Sequence, residues 1–100
     1  MTVADRDAPG STEFQLRGDI DVTNAGDIGD RLCELVIHYA TVVVVGSAVT
    51  FVESRGLAMM ARVQRVADEA GCELCWRAFP VHVLHTMHVT GLDRYLRIEA

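Results

Sequence analysis

Ser54 is the side chain best placed for chemistry, because it stands between an apolar, strand-like segment and a helix-like segment. A serine there can cap the helix by accepting a hydrogen bond from a first-turn N–H group. The same N–H groups and the helix dipole would also accommodate a phosphate, with Arg55 available to pair with it. From the residues alone, the cap is the simpler interpretation and phosphorylation is the functional alternative.

A catalytic role for Ser54 is disfavoured. Val52 stands where a G-x-S-x-G nucleophile elbow would have its first glycine. No base, nucleophile and oxyanion donor can be grouped from these residues. All nine basic residues are arginine, which excludes Schiff-base chemistry and a phosphate-loop lysine. We therefore expect no enzymatic activity and no cofactor.

Two cysteines and three histidines of zinc-binding type lie close together in the sequence: Cys72, Cys75, His82, His85 and His88. If residues 72–77 form a strand, the two cysteines point to opposite faces. Histidines at every third position drift around a helix and cannot all face one ion. We expect buried cysteines, a solvated histidine edge and no metal site, with a thiol- or metal-dependent sensor as the alternative. A redox role of Cys33, Cys72 or Cys75 stays open.

Four aspartates surround one predicted loop: Asp19, Asp21, Asp27 and Asp30. Their spacing matches no calcium loop, since the glycine and the distal glutamate are missing. Loop chemistry and complementation of the helix dipole explain them more simply. Acidic groups beside a phosphorylation site could also position the basic groups of a partner.

Composition restricts the class of protein, its partners and its location in the cell. The chain has 100 residues, 50% of them hydrophobic and 23% charged, as expected of one globular domain. A net charge of −5 without a visible basic face argues against nucleic acid. The longest uncharged stretch, 39–52, is too short to span a membrane, and the N-terminus is unlike a signal peptide. These two observations, together with the odd number of cysteines, predict a cytoplasmic protein without membrane insertion.

The elements that must position these residues alternate between strand and helix. We predict a flexible lead-in or short edge strand over 1–11 and one domain over 12–100. Asn24 should cap the first helix, Gly46 to Ala48 should end the second strand, and Gly71 and Gly91 should end helices. Alternation of this kind predicts an α/β domain with parallel strands. The predicted strands cover 14–17, 41–45, 72–77 and 95–98, with helices between them.

Three segments together resemble the STAS domain family. Residues 42–57 (VVVVGSAVTFVESRGL) resemble its buried strand, loop and helix start, and residues 18–21 (GDID) resemble its early loop. Residues 90–94 (TGLDR), followed by 96–98 (LRI), resemble its C-terminal end. The resemblance covers about residues 12–100. It implies a single α/β domain with a mostly parallel sheet of four to five strands and three to four helices.

The best-known members of that family are bacterial anti-sigma factor antagonists. The resemblance implies that this chain binds an anti-sigma factor of the histidine-kinase-like ATPase type, a serine kinase, and so frees a sigma factor. Phosphorylation at the position of Ser54 would then separate the two proteins, because the added charge lies near other carboxylates. The implied partner-binding residues are Asp19, Asp21, Thr23, Glu53, Ser54, Arg55, Gly56 and Leu57.

Three positions depart from the family pattern. Glu53 replaces an aspartate, Arg55 replaces a small hydroxyl residue, and Val45 replaces an aspartate common in the buried strand. Two alternatives therefore stand beside the antagonist. One is a STAS-type regulatory subunit of an ABC lipid transporter, and the other is a regulatory paralogue that is not phosphorylated. The hydroxyl of Ser54 favours the antagonist, since a pure scaffold does not need it.

Overall fold

Strands and helices alternate along the chain, and all neighbouring strands are parallel. The structure is a computed structural model that describes residues 10–99. It contains four strands in the order β1-β2-β3-β4, three helices and one short 3-10 turn. This confirms the predicted α/β class. The elements are β1 (Ser11–Ile20), α1 (Ala25–His38), β2 (Thr41–Val52), α2 (Ser54–Ala70), β3 (Glu73–Arg77), α3 (Val81–Val89), the 3-10 turn (Leu92–Arg94) and β4 (Ile98–Glu99).

The first two strands are longer than their local patterns predict. They pair in parallel from Ser11 opposite Thr41 to Ile20 opposite Val52. The prediction that β2 ends at residues 46–48 is wrong, because two irregularities in the pairing let the strand continue past them. In both places β2 advances one residue more than β1. The predicted lead-in lies outside the described residues, except for Gly10 and for Ser11, which begins β1.

Gly46 has a packing role instead of ending the strand. A Cβ atom on this residue would lie 2.3–2.5 Å from ring carbons of Phe79. Phe79 is buried and precedes α3, whose Val83 and Met87 belong to the same core. The glycine therefore leaves room for an aromatic ring that is 33 positions away in the sequence.

The core lies on the side of the sheet that carries Val42, Val44, Leu74 and Trp76, each no more than 2% exposed. On the other face of the sheet, Val43 and Val45 are only half-buried.

Gln64 is the buried polar side chain among the described residues, and it is satisfied. Its Oε1 accepts a hydrogen bond from Nε1 of Trp76 at 3.1 Å, and its Nε2 donates to Asp68 at 3.0 Å.

The helix ends match the sequence patterns better than the strand ends do. Gly71 ends α2 with φ 75°, and Gly91 follows α3 with φ 80°, both in the left-handed region as predicted. The last strand is shorter than predicted and contains only Ile98 and Glu99. The N–H groups of Tyr95 and Leu96 bond to the carbonyl of Leu92, which closes a turn where a strand was expected.

The first turn of α2 lies directly on the ends of β1 and β2. A Cβ atom on Gly56 would lie 2.7 Å from Cγ1 of Val52, 2.9 Å from Cγ2 of Ile20 and 3.1 Å from the carbonyl oxygen of Ile20. One neighbour is backbone and the side chains are buried, so a larger residue requires the helix to move.

Replacing Gly56 by alanine should therefore destabilise the protein, although alanine is the better helix former. Overpacking of a tight site costs about 1–3 kcal/mol, which exceeds the gain in helix propensity of about 1 kcal/mol. The measurement is the free energy of unfolding from urea denaturation. The matched control is Gly26→Ala in α1, where nothing lies within 4 Å of the new Cβ. Gly26 lies in the first turn of α1, so that variant should be more stable by at most about 0.5–1 kcal/mol. Equal stabilisation by both changes would contradict the packing argument.

Candidate functional site

The candidate site lies at the edge of the sheet where β1 and β2 both end. Ile20 and Val52 are paired as the last residues of these strands. The N–H of Glu53 donates to the carbonyl oxygen of Ile20 at 2.9 Å. Parallel strands end at the same edge, and this is where α/β proteins commonly bind their ligands. The loop after β1 and the start of α2 are thereby held side by side.

Asp21 and Thr23 form a closed hydrogen-bonded turn in that loop. Oδ1 of Asp21 accepts hydrogen bonds from the backbone N–H of Thr23 at 2.9 Å and from its hydroxyl at 2.5 Å. The hydrogen bond from the Thr23 hydroxyl is the main cause that lowers the pKa of Asp21 below the ordinary value, and the bond from the Thr23 N–H is the second cause. The carboxylate therefore keeps its charge and a defined orientation.

Asn24 has a different role from the one predicted. It stands immediately before α1, but its side chain makes no capping hydrogen bond to the helix. Its Oδ1 instead accepts from the N–H of Asp21 at 2.9 Å, and its Nδ2 donates to the carbonyl oxygen of Asp19 at 2.8 Å. The cap prediction is wrong because both ends of the amide bind the preceding loop, which they hold in shape.

Asp19 is tied to the neighbouring strand. Its Oδ1 accepts a hydrogen bond from the hydroxyl of Thr50 at 2.5 Å. The carbonyl oxygen of Thr50 lies 2.6 Å from Nε2 of His82, the second residue of α3. Asp19 remains exposed, so its carboxylate is oriented by β2 while it faces solvent.

Ser54 is exposed and does not cap α2. Glu53 occupies the cap position with extended backbone, φ −78° and ψ 172°, and Ser54 is the first helical residue. No side chain caps this helix, so the simpler interpretation of Ser54 is wrong. The reason is the bond from the Glu53 N–H to Ile20, which holds Glu53 in the strand direction. The Ser54 hydroxyl is left accessible.

The remaining predicted residues divide into two groups. Arg55 is exposed beside Ser54 and can contact a partner. Gly56 is buried and Leu57 is half-buried against the core, so these two residues position the helix. The structure therefore brings all eight predicted residues to one edge, six of them accessible to a partner and two of them internal.

Exposed apolar side chains at the same edge were missed by the sequence analysis. Val22 is 60% exposed, Phe51 53% and Val81 82%. Each lies at or after the carboxyl end of a different strand, and that common position was the available signal. We use the name strand-end surface for these three residues together with the six accessible predicted ones: Asp19, Asp21, Thr23, Glu53, Ser54 and Arg55. This surface combines carboxylates, one arginine, two hydroxyl groups and apolar side chains, and protein contacts likewise join apolar area with polar groups.

The thiols are placed as the strand pattern predicted. Cys72 belongs to the core cluster, whereas Cys75 is on the opposite face near Glu99. Burial, and then a hydrogen bond to Glu99, raises the pKa of the Cys75 thiol, which lowers its reactivity at neutral pH. Burial likewise raises the pKa of Cys33. Over residues 10–99, no three His, Cys, Asp or Glu side chains are grouped as they would be around a metal ion.

The described part of the chain contains no candidate membrane-spanning helix. None of its helices combines the length and the apolar character needed to cross a bilayer.

Comparisons with known proteins agree with this architecture. A family model described as "Mlab, STAS domain" matches residues 3–98. A crystal structure from Thermotoga maritima, of a protein described as a candidate anti-sigma factor antagonist, superposes with a TM-score of 0.81 at 16% identity. The superposition covers 90% of this chain and 79% of the other. A search of curated protein sequences found no match.

Two further solved structures share the fold. The anti-sigma factor antagonist SpoIIAA, in its unphosphorylated form, gives a TM-score of 0.76 at 12% identity, over 96% of this chain and 85% of that one. The STAS domain of a SulP transporter from Vibrio cholerae gives 0.71 at 10% identity, over 91% and 73%. At these identities the likeness establishes the fold alone.

Replacing Thr23 by valine should raise the pKa of Asp21 toward its ordinary value, because the hydroxyl donor is lost while the shape is kept. An NMR titration of the Asp21 carboxyl measures this directly. Since the folded pKa is depressed, the stabilisation from this turn is present above the unfolded pKa. It is lost as the pH falls through the folded pKa. The difference in stability between wild type and variant should therefore shrink in acid.

The control is Thr90→Val, whose hydroxyl bonds only to backbone carbonyls in α3. It should leave the titration of Asp21 unchanged. An unchanged titration in the Thr23 variant as well would contradict the hydrogen-bonding explanation.

Proposed function

The chain belongs to the STAS domain family, and from that premise we propose that it is an anti-sigma factor antagonist. Its partner would be an anti-sigma factor of the histidine-kinase-like ATPase type, whose capture frees a sigma factor. The observation that carries the proposal is the accessible hydroxyl of Ser54 in the first turn of α2, directly beside the loop of Asp21. Similar solved structures described as anti-sigma factor antagonists support it.

The strand-end surface supports binding of the unphosphorylated protein. Val22, Phe51 and Val81 offer apolar area, and the oriented carboxylates of Asp19 and Asp21 offer acceptors for basic groups. Apolar contacts supply affinity, and complementary charges set orientation and partner choice. This surface acts by contact, so the proposed function is regulatory and not enzymatic. A kinase that binds it would act on Ser54 in the cytoplasm.

The same geometry supports release after phosphorylation. A phosphate on Ser54 adds about 1.5 to 2 negative charges at neutral pH. The N–H groups of the first turn of α2 point toward this end and can hold the phosphate in place. Glu53 precedes it in the chain, and Asp21 keeps its charge because of its lowered pKa. A partner shaped to the unphosphorylated surface would then meet a concentrated negative charge.

A transporter regulator is the second candidate. The matching family model is described as "Mlab", and one similar structure is the STAS domain of a SulP transporter. A regulatory subunit of an ABC lipid transporter would use the same edge of the sheet, with no need for modification of Ser54. The identity of the bound partner separates the two candidates. A paralogue that is not phosphorylated would bind the anti-sigma factor without the switch.

Replacing Ser54 by glutamate should weaken binding to the anti-sigma factor by about ten-fold or more, which corresponds to at least about 1.4 kcal/mol. Ser54→Ala should bind as wild type does but resist phosphorylation by the partner. Binding is measured by calorimetry with partners first identified by mass spectrometry after capture from the native host. Phosphate incorporation is followed by intact mass.

The matched control is Ser47→Glu, which adds the same charge at an exposed serine in β2. It should have little effect on either measurement. Equal binding by Ser54→Glu and wild type would contradict release by phosphorylation, and it would favour the regulatory paralogue that is not phosphorylated. Recovery of transporter components alone would favour the second candidate.

A further inference from the structure

One side of α2 carries a row of arginines that begins at the candidate site with Arg55 and continues beyond it. Arg55, Ala58, Arg62 and Arg65 are separated by three, four and three residues, so they lie along one side of the helix. The row is about 15 Å long at the rise of an α-helix. Arg55, Ala58 and Arg65 are exposed, and the side chain of Arg62 is 40% exposed. We call this row the arginine stripe.

The arginine stripe is bordered by two shallow grooves that share Ala58 and Arg62. The first groove runs toward the loop after β1 and is also lined by Val22, Ala25, Gly26, Arg55 and Met59. The second is also lined by Ala61, Arg65 and Tyr95. Small residues are among the lining of both grooves, with exposed Val22 in the first and exposed Tyr95 in the second. The arginines therefore border apolar depressions, where carboxylates and apolar side chains can bind side by side.

The charges of the stripe are available for a partner. Within residues 10–99, Arg55 and Arg65 form no ion pair, and Arg62 contacts Asp30 at 3.3 Å. Asp30 is 76% exposed, and a solvated pair of this kind is weak enough to exchange partners. Three guanidinium groups on one helix side also run against the net charge of −5. Guanidinium groups bind carboxylates in a bidentate geometry that ammonium groups cannot form.

We propose that the arginine stripe and its two grooves are a docking surface for an acidic, amphipathic segment of a partner protein. Carboxylates of that segment bind the three arginines, and its apolar side chains pack on the alanines that line the grooves and against Val22 and Tyr95. The stripe is a short basic row that the net charge of −5 does not reveal. It also explains the departure of Arg55 from the family pattern, because this residue supplies the first cation of the stripe.

A polypeptide fits this surface better than a nucleic acid does. The acidic groups of the strand-end surface lie beside one end of the stripe and would repel a long polyphosphate that extends over them, whereas a short segment can keep its carboxylates on the arginines. A helix of about 11 residues matches the length of the stripe and can place carboxylates every three or four residues. The grooves are lined mainly by apolar atoms, which a nucleic acid backbone does not complement. Binding here does not require modification of Ser54.

The test uses two fluorescein-labelled peptides of about 14 residues, roughly four helical turns. The first carries glutamates and leucines at helical spacing, and the second replaces every glutamate by lysine. Fluorescence anisotropy is measured against the full chain. The acidic peptide should bind saturably and the basic one should not, despite the negative charge of the protein. Arg65→Glu should weaken binding of the acidic peptide by about ten-fold, and added salt should do the same.

The matched control is Arg17→Glu, which reverses an exposed arginine on β1 and should leave peptide binding unchanged. Circular dichroism verifies that both variants are folded. An equal effect of the two reversals, or equal binding of the two peptides, would overturn the proposal. Tighter binding of single-stranded DNA than of the acidic peptide would also overturn it. The assay contains neither an anti-sigma factor nor phosphate, so its outcome is separate from the outcome at Ser54.

Discussion

The missing side chain of Gly56 is the constraint on which the presentation of the site depends. It allows the first turn of α2 to lie against Ile20 and Val52, within distances that no Cβ atom tolerates. The bond from the Glu53 N–H to Ile20 then holds the residue before the helix in an extended conformation. Ser54 follows as the first helical residue with its hydroxyl in solvent. A buried glycine thus decides what a partner meets at the surface.

Short polar side chains hold the loop after β1, which lies beside the start of α2, in a defined conformation. Thr23 and Thr50 donate to Asp21 and Asp19, and Asn24 bonds to the backbone of both. Such bonds orient the carboxylates before any partner arrives, so less conformational freedom is lost on binding. A loop arranged in this way suits the proposed regulator, because phosphorylation of Ser54 would change the charge without needing a change of fold.

Two neighbouring surfaces of the molecule carry side chains of opposite charge. Carboxylates gather where β1 and β2 end, and arginines lie along the side of α2. Arg55 belongs to both, since it follows Ser54 in the chain and lines the groove beside Val22. Where members of the family have a second small hydroxyl residue, this chain has instead extended a basic row. The departure changes what the side of α2 can bind and leaves Ser54 accessible.

Local pattern determined much of the fold from the sequence alone. Alternating strand and helix segments implied parallel pairing, and Gly71 and Gly91 marked helix ends, because both signals arise within a few residues. The opposite placement of Cys72 and Cys75 followed from the period of a strand. The position of Ser54 at the start of a helix was likewise visible in the sequence, together with the motif that resembles the STAS family.

Only the tertiary structure decided the features that join distant residues. Gly46 resembled a strand end, but its neighbour Phe79 shows a packing site inside a longer strand. The residue at which α2 begins depended on the bond from the Glu53 N–H to Ile20. The grooves along the side of α2 exist only because Val22 and Tyr95 lie beside that helix in the folded chain. Propensity and periodicity act between near neighbours, whereas these features arise from contacts that exist only once the chain has folded.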